Sequence, residues 1–350
     1  MAQITPKENY LRMAKGETPE WIPALIFGVN SSEPPAEIYI GPYLMFDEDV
    51  SLNGLFMRTP GQTYGKNIWG VPFVATRETG YCILPEPGNF ILDDITKWRD
   101  VIKAPDISKI NWEEYVRQDL GRYGPLADTS VRCLGLHFGY FQTLMSFMGF
   151  ENGMMAMMEE PEEVMALFEY LCDFYCSILD HCYDLYKPDT YLLTDDVATA
   201  RGPFISVDMY REMVKPFVMR EAQYSIDRGV PCEMHCCGKC EDMIPEWLDY
   251  GVKYWQPAQP MNDLLAIKEK YGIAICGGWP YELDPKLQRA DISEEEFKKS
   301  IRDTIDKYAP GGRYAFFGCV VGDPDDESVP RRNQWAYEVV EEYGRTFYQK

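Results

Sequence analysis

Positive charge is the first thing this chain of 350 residues lacks: 34 lysines and arginines stand against 56 aspartates and glutamates, for a formal net charge of −22. No run of Lys or Arg exceeds a pair. A protein that neutralises phosphates needs a basic patch, so nucleic acid is excluded as a partner. Long apolar runs are missing too. Nothing approaches the roughly 18 apolar residues that span a bilayer, and the opening MAQITPKENY lacks the basic, apolar, small-residue order of a secretory leader. The expectation is a cytoplasmic protein that does not engage a membrane. Also absent are a Gly-rich phosphate fingerprint after the first apolar run and a second CxxC motif. The first absence argues against an open dinucleotide-binding sheet, the second against a zinc ribbon. Histidine is the scarcest of the chemistry-bearing residues, with three in all.

What is present is ordinary globular material, 46% hydrophobic and 26% charged, with 11 cysteines. In a large chain of this kind cysteines are read as free thiols, apolar fillers or metal ligands. Cys172, Cys176 and Cys182 fall in an apolar helical stretch and read as fillers. Thr5 to Glu8 has the pattern of a capping box and predicts an opening helix; WIPALIF (21 to 27) reads as a buried strand. Residues 30 to 130, rich in Pro, Gly and rings, read as an elaboration of loops and short hairpins. From about residue 130 apolar runs alternate with amphipathic helical stretches: VRCLGL, TYLLT, PCEMHC, KYWQPA, IAICGG and RYAFFG. Alternation of this kind means a parallel sheet. With the strand at 21 to 27 and one more within 68 to 86 the count is eight, the number that closes a (β/α)8 TIM barrel. The expected architecture is α/β, one barrel over residues 1 to 350 with an elaborated N-terminal region.

In such a barrel chemistry sits where the strands end. The residues there are polar: Asp195 and Asp196 after TYLLT, His235 and Cys237 at PCEMHC, Gln256 and Gln259 after KYW, Trp279 after IAICGG, Cys319 after RYAFFG. The segment CEMHCCGKC (232 to 240) is the densest. On extended backbone His235 and Cys237 point to one side and Cys236 to the other, so the pair can chelate one ion. Cys319, at the end of another strand, can supply a third ligand at the common mouth, and His, Cys and Cys with an open position is the ligand set of a catalytic zinc. A hydrogen-bonded structural histidine and a Cys237–Cys240 redox pair remain the alternatives. Of Asp195 and Asp196 one faces the site, where it orients His235 or binds a substrate hydroxyl, unless it caps backbone N–H groups instead. Glu233 shares the face of His235 at greater depth, as a catalytic or ligand-supporting carboxylate. His137 at the end of VRCLGL is a candidate substrate contact, and His181, on a helix, is structural. Rings at Tyr64, Trp69, Phe138, Tyr140, Trp255 and Trp279 are candidate walls for a flat apolar substrate, or core.

The runs TDDVATARGPFISVDMYREMVKPF, MHCCGKCEDMIPEWLDYGVKYWQPAQP, ICGGW and GCVVGDP resemble the uroporphyrinogen decarboxylase superfamily, specifically its zinc-dependent corrinoid methyltransferase branch. The resemblance covers roughly residues 130 to 345, with weaker support at WIPALIF and WGVPF. It implies that Zn2+ is held by His235, Cys237 and Cys319, and that a methyl group passes between a small molecule and the cobalt of a corrinoid (cobalamin) on a partner protein. Decarboxylases of the superfamily carry arginines soon after the first strand. Between residues 22 and 60 this chain has only Arg58, so porphyrinogen decarboxylation is not expected.

Zinc can polarise an ether oxygen or stabilise a thiolate, so the ligand set leaves the direction open. The ring-rich mouth offers flat apolar walls that suit a methoxylated ring, and the long N-terminal third with its WGVPF segment resembles the branch's demethylating members; both lean to a methoxylated aromatic as donor, with Tyr140, Trp255, Gln256, Trp279 and His137 as substrate contacts. A thiol of the coenzyme M type as acceptor is the alternative. A non-catalytic, zinc-stabilised barrel is the alternative of another class. A homodimer is left open.

Overall fold

The apolar runs become strands of one parallel sheet because each is followed by a helical stretch long enough to return the chain to the same edge. The computed structural model describes residues 4–26, 29, 33–42, 64–323 and 325–349. The strands are β1 (Ala24–Leu25), β2 (Glu37–Ile40), β3 (Tyr64–Lys66), β4 (Pro72–Val74), β5 (Leu84–Pro85), β6 (Val131–Gly135), β7 (Thr190–Thr194), β8 (Cys232–His235), β9 (Val252–Ala258), β10 (Ala274–Gly277) and β11 (Tyr314–Phe317). Eight of them are hydrogen-bonded in the order β1, β11, β10, β9, β8, β7, β6, β2, every pair parallel, with helices between them. This is the expected (β/α)8 TIM barrel, nearly closed.

One strand lies elsewhere than the sequence suggested. The segment 68 to 86 contributes no barrel strand; it supplies β4 and β5, which with β3 form a separate antiparallel sheet. The second barrel strand is β2, inside the stretch read as loops, and it pairs with β6 from Glu37↔Val131 to Ile40↔Leu134. The reason is local. Glu-Ile-Tyr-Ile alternates a carboxylate and a phenol toward the barrel interior with isoleucines toward the helices, so it never forms an apolar run.

The opening helix Pro6–Leu11 starts as anticipated: Thr5 Oγ1 accepts from Glu8 N at 3.1 Å while Glu8 Oε2 accepts from Thr5 N at 2.7 Å, and Pro6 opens the first turn. It seats Tyr10 beneath the barrel, in a cluster with Met13, Leu25, Tyr254 and Ala274, and so closes the N-terminal end. A much larger apolar cluster fills the space between strands and helices. Strand alternation decides which residue joins which: Tyr254 faces the barrel axis, Met234 and Trp255 the helices. Among the described residues no helix is long and apolar enough to cross a membrane.

Candidate functional site

The register of the central strands brings their ends level at the mouth, with Thr194 opposite His235 and His235 opposite Gln256. His235 ends β8 with its side chain toward the mouth. Its Nδ1 lies 3.2 Å from Gln256 Oε1, while Gln256 Nε2 donates to Tyr39 Oη at 3.0 Å and to Glu233 Oε2 at 3.4 Å. An amide so committed can only accept from the imidazole. Nδ1 therefore carries the proton and Nε2 is left as a lone-pair donor.

Two residues on, Cys237 N donates to Asp196 Oδ1 at 2.6 Å, and Gln142 Nε2 donates to Asp196 Oδ2 at 3.0 Å. The chain can turn here because the next residue is Gly238, with φ of +96°: a Cβ at that position would meet Thr199 O at 2.7 Å and the Ala198 carbonyl at 2.8 Å. One ligand atom from each of Asp196, His235 and Cys237 lies within 4.8 Å of the other two, and all three side chains are half-buried. Burial, then the carboxylates of Asp196 and Glu282, push the Cys237 thiol well up. This corner favours no thiolate by itself, and a cation is what would make one.

Cys319 follows β11 on the far rim. Its sulfur does not complete a group in which it, His235 and Cys237 all fall within 4.8 Å of one another. Asp196, not Cys319, stands beside the His–Cys pair. What links the two thiols is Glu282, whose carboxylate acts on both: burial, then Glu282, pushes Cys319 up to about 11. Gln259 holds Glu282 by its amide N–H and accepts from Gly238 N at 2.6 Å, which ties the far loop to the turn after Cys237. The N-terminal elaboration reaches this rim as well. Tyr81 Oη donates to Asp323 at 2.6 Å, and Cys82 is near enough to act on Cys319. Glu282 lies inside the long loop between β10 and the helix Glu294–Tyr308, beyond the strand end itself, and so falls outside the strand-end rule.

The other anticipated site residues separate into those at the mouth and those beneath it. Of the two aspartates it is Asp196 that faces the site. Asp195 caps: its carboxylate accepts from Phe141 N (3.0 Å) and Gln142 N (2.9 Å) at the start of the helix Tyr140–Met148, whose own N-cap is Gly139. Burial lifts Asp195 to about 7 against the pull of those N–H groups. His137 has both nitrogens engaged, Nδ1 accepting from Gly139 N and Nε2 donating to Glu221, and its ring stacks on Tyr175 at 3.7 Å. Tyr140 and Tyr191 also donate to the buried Glu221. The cavity beside them is about 20 Å3, room for one water and no substrate. Sequence reasoning missed Glu221, which lies on the helix Lys215–Ile226.

Trp255 is fully buried against Trp247, its indole donating to Cys236 O at 3.0 Å, so it faces the helical layer. Trp279 is wedged against Tyr281, Phe297 and Phe316, with its indole on Ser300 Oγ at 2.9 Å. Gln256 is 1% exposed and works on His235, leaving no surface for a substrate. Trp69 is core, donating to Tyr175 Oη, whereas Tyr64 is exposed. His181 stacks on Trp112. Cys240 lies 3.4 Å from Cys236, both buried, so the sulfurs that meet are not those of the CxxC spacing. Arg58 lies outside the described residues. Glu233 is fully buried, below the mouth.

An imidazole nitrogen, a thiol and a carboxylate on one small circle, with another thiol and carboxylate across the mouth, suit a borderline divalent cation such as zinc. Three comparisons with known proteins bear on what such a site serves. A family model described as "Uroporphyrinogen decarboxylase (URO-D)" matches residues 88–321. A solved structure described as "methyltransferase from Methanosarcina mazei" superposes with a TM-score of 0.57 over 97% of this chain and 99% of that one; at 13% identity the likeness speaks for the fold alone. No curated protein matches the chain.

Proposed function

The chain belongs to the uroporphyrinogen decarboxylase (URO-D) family, and on that premise we propose that it is a zinc-dependent methyltransferase, moving a methyl group from a methoxylated aromatic to the cobalt of a corrinoid on a separate protein. The observation that carries this reading is the meeting of His235, Cys237 and Asp196 at the barrel mouth, with the imidazole Nε2 left free by Gln256. In this reading His235 and Cys237 hold the ion, Cys319 reaches it from the opposite rim, and Asp196 borders it while anchoring the Cys237 backbone. When bound, zinc supplies a Lewis acid that draws off charge developing on the ether oxygen as the methyl carbon departs. The residues of the chain set the geometry. Gln256 fixes the imidazole plane, the Gly238 turn presents the thiol, and Glu282 with Gln259 holds the two rims in register.

The transfer balances without a further reactant. The electron pair of the carbon–oxygen bond leaves on the ring oxygen, the cobalt(I) pair forms the new bond and becomes methyl-cobalt(III), and a solvent proton quenches the phenolate. One further observation supports methyl transfer over decarboxylation: Arg58 is the only arginine between residues 22 and 60. The M. mazei structure, which shares the fold, is itself described as a methyltransferase. The choice of a methoxylated donor is supported by the resemblance of the long N-terminal third, with its WGVPF segment, to the branch's demethylating members.

The test is anaerobic incubation of zinc-loaded protein with a reduced corrinoid protein and a panel of methoxylated aromatics, methylamines and thiols, following the cobalt spectrum. Methylation of cobalt by a methoxylated aromatic is expected. Demethylation of methyl-cobalt by a thiol, with every donor inert, would reverse the direction; inertness of all pairs would leave a non-catalytic barrel. For the ligands, Cys319→Ser should lose the zinc held at the mouth with the fold retained. If it keeps full zinc while Cys240→Ser loses it, the ligand assignment fails.

A further inference from the structure

Below the mouth, the barrel axis holds a second group of ligand-bearing side chains that the reading above does not use. Glu37 from β2, Cys133 from β6 and Glu233 from β8 are 6%, 0% and 0% exposed, and one ligand atom from each lies within 4.8 Å of the other two. Carboxylates so deep in a barrel normally find a cation or a set of donors. Here neither has an ion pair among the described residues. Both oxygens of Glu37, Oε1 of Glu233 and Oγ1 of the fully buried Thr190 on β7 make no well-formed hydrogen bond, although the hydroxyls of Tyr39 and Tyr10 lie near enough to act on Glu37, and that of Thr190 on Glu233 and Cys133. Four buried oxygens from three strands thus gather round the Cys133 thiol without a well-formed hydrogen bond.

The arrangement of the rest is that of a ligand shell. Glu233 Oε2 is held by Tyr10 Oη at 3.3 Å and by Gln256 Nε2 at 3.4 Å, which leaves Oε1 as the free oxygen. The helix Pro6–Leu11 carries Tyr10 into place and seals the space from below.

We propose that Glu37, Glu233 and Cys133 hold a divalent cation of the zinc class in the barrel interior, separate from the ion at the mouth, with the Thr190 hydroxyl turned to the same space. Two carboxylates and a thiol are a borderline donor set, and spacings within 4.8 Å contract with small side-chain movements to metal–oxygen distances of about 2.0–2.2 Å and metal–sulfur of about 2.3 Å. The ion supplies the positive charge that this space lacks. Burial, then Glu233, otherwise drives the Glu37 carboxyl far up, and burial, then the two glutamates, does the same to the Cys133 thiol. Its role is structural: it ties β2, the strand at one end of the ladder, to β6 and β8. Because Gln256 bonds both Glu233 and His235, the interior site also steadies the orientation of the mouth imidazole.

The experiment uses the full chain expressed and purified with zinc, its metal content read by mass spectrometry and its fold by circular dichroism. A mouth variant, His235→Ala with Cys237→Ser, should keep about one zinc per chain, with an anomalous-diffraction peak among Glu37, Cys133 and Glu233. An interior variant, Glu37→Gln with Cys133→Ala, should lose about one zinc relative to the wild type and keep the mouth ion. Should the interior variant not fold, the mouth variant decides alone. A folded mouth variant that carries no zinc, or carries it elsewhere, overturns the proposal and means that the carboxyls share protons instead. Wild-type zinc in a folded interior variant overturns it as well. Failure of the mouth site would show as an unchanged zinc content in the mouth variant, which is a different result.

Discussion

His235 can offer one nitrogen to the mouth because Gln256 occupies the other. The same glutamine gives its N–H groups to Tyr39 and Glu233, so its acceptor oxygen is not free to turn away. Partners of this kind fix the tautomer and ring plane of a metal-binding histidine, and their loss costs about 10- to 100-fold in metal affinity. Gln256→Leu should weaken zinc binding at the mouth by that factor in a competitive chelator titration, with the secondary structure unchanged; an unaltered affinity would show that the bond does not orient the ring. The His–x–Cys pair was legible in the sequence because a strand has a period of two. Gln256 was legible as a mouth residue but not in its role. Its own strand position says where its side chain points, and only the neighbouring strand says that a histidine waits there. Asp196 and Asp195 could not be told apart for a similar reason, since the choice depends on where the helix Tyr140–Met148 begins. Gly139 sits so close to β7 that a Cβ there would clash with Thr194 O, and that approach puts two N–H groups on Asp195.

Between elements, the helices behind β8 are fastened by charge as well as by packing. Glu246, on the helix Ile244–Leu248, is 4% exposed and accepts from Arg211 at 2.7 and 2.9 Å and from Lys215 at 2.8 Å, each on a different neighbouring helix. The bond to Arg211, then that to Lys215, holds its carboxyl below the usual 4.5 against the effect of burial. A depressed folded value means that this stabilisation is complete above pH 4.5 and is lost as pH falls through the folded value. Glu246→Gln should therefore lower Tm at pH 7, and the gap to wild type should close as the pH is taken below about 4.5. A gap that stays constant with pH would mean that packing, not charge, is what the substitution removes. Strands and helices after residue 130 were readable because largely apolar runs alternate there with helical stretches, even where β6, β8 and β9 carry Arg132, Glu233 and Gln256. β2 was not, because its interior face carries Glu37 and Tyr39; the polarity that hid the strand is what makes the interior site. Segment 68 to 86 misled in the opposite sense, since the apolar Trp69 and Val71 pack on helices outside the barrel.

Across the whole molecule, the barrel makes neighbours of residues that the sequence keeps apart: Tyr10 touches Glu233, Tyr81 touches Asp323, and the charge of Glu282 acts on both Cys237 and Cys319. The sequence named the strand ends, and closure of the sheet ordered them round one mouth. In the proposed function an ion held at His235 and Cys237 drives methyl transfer. The most direct measurement is the single-turnover rate of cobalt methylation by a methoxylated aromatic under anaerobic conditions, compared between wild type and Cys237→Ser. Loss of a Lewis acid worth several kcal/mol predicts a fall of about 1,000-fold or more in the variant, with its circular dichroism intact. A Cys237→Ser protein that methylates cobalt within a few-fold of the wild-type rate would contradict it.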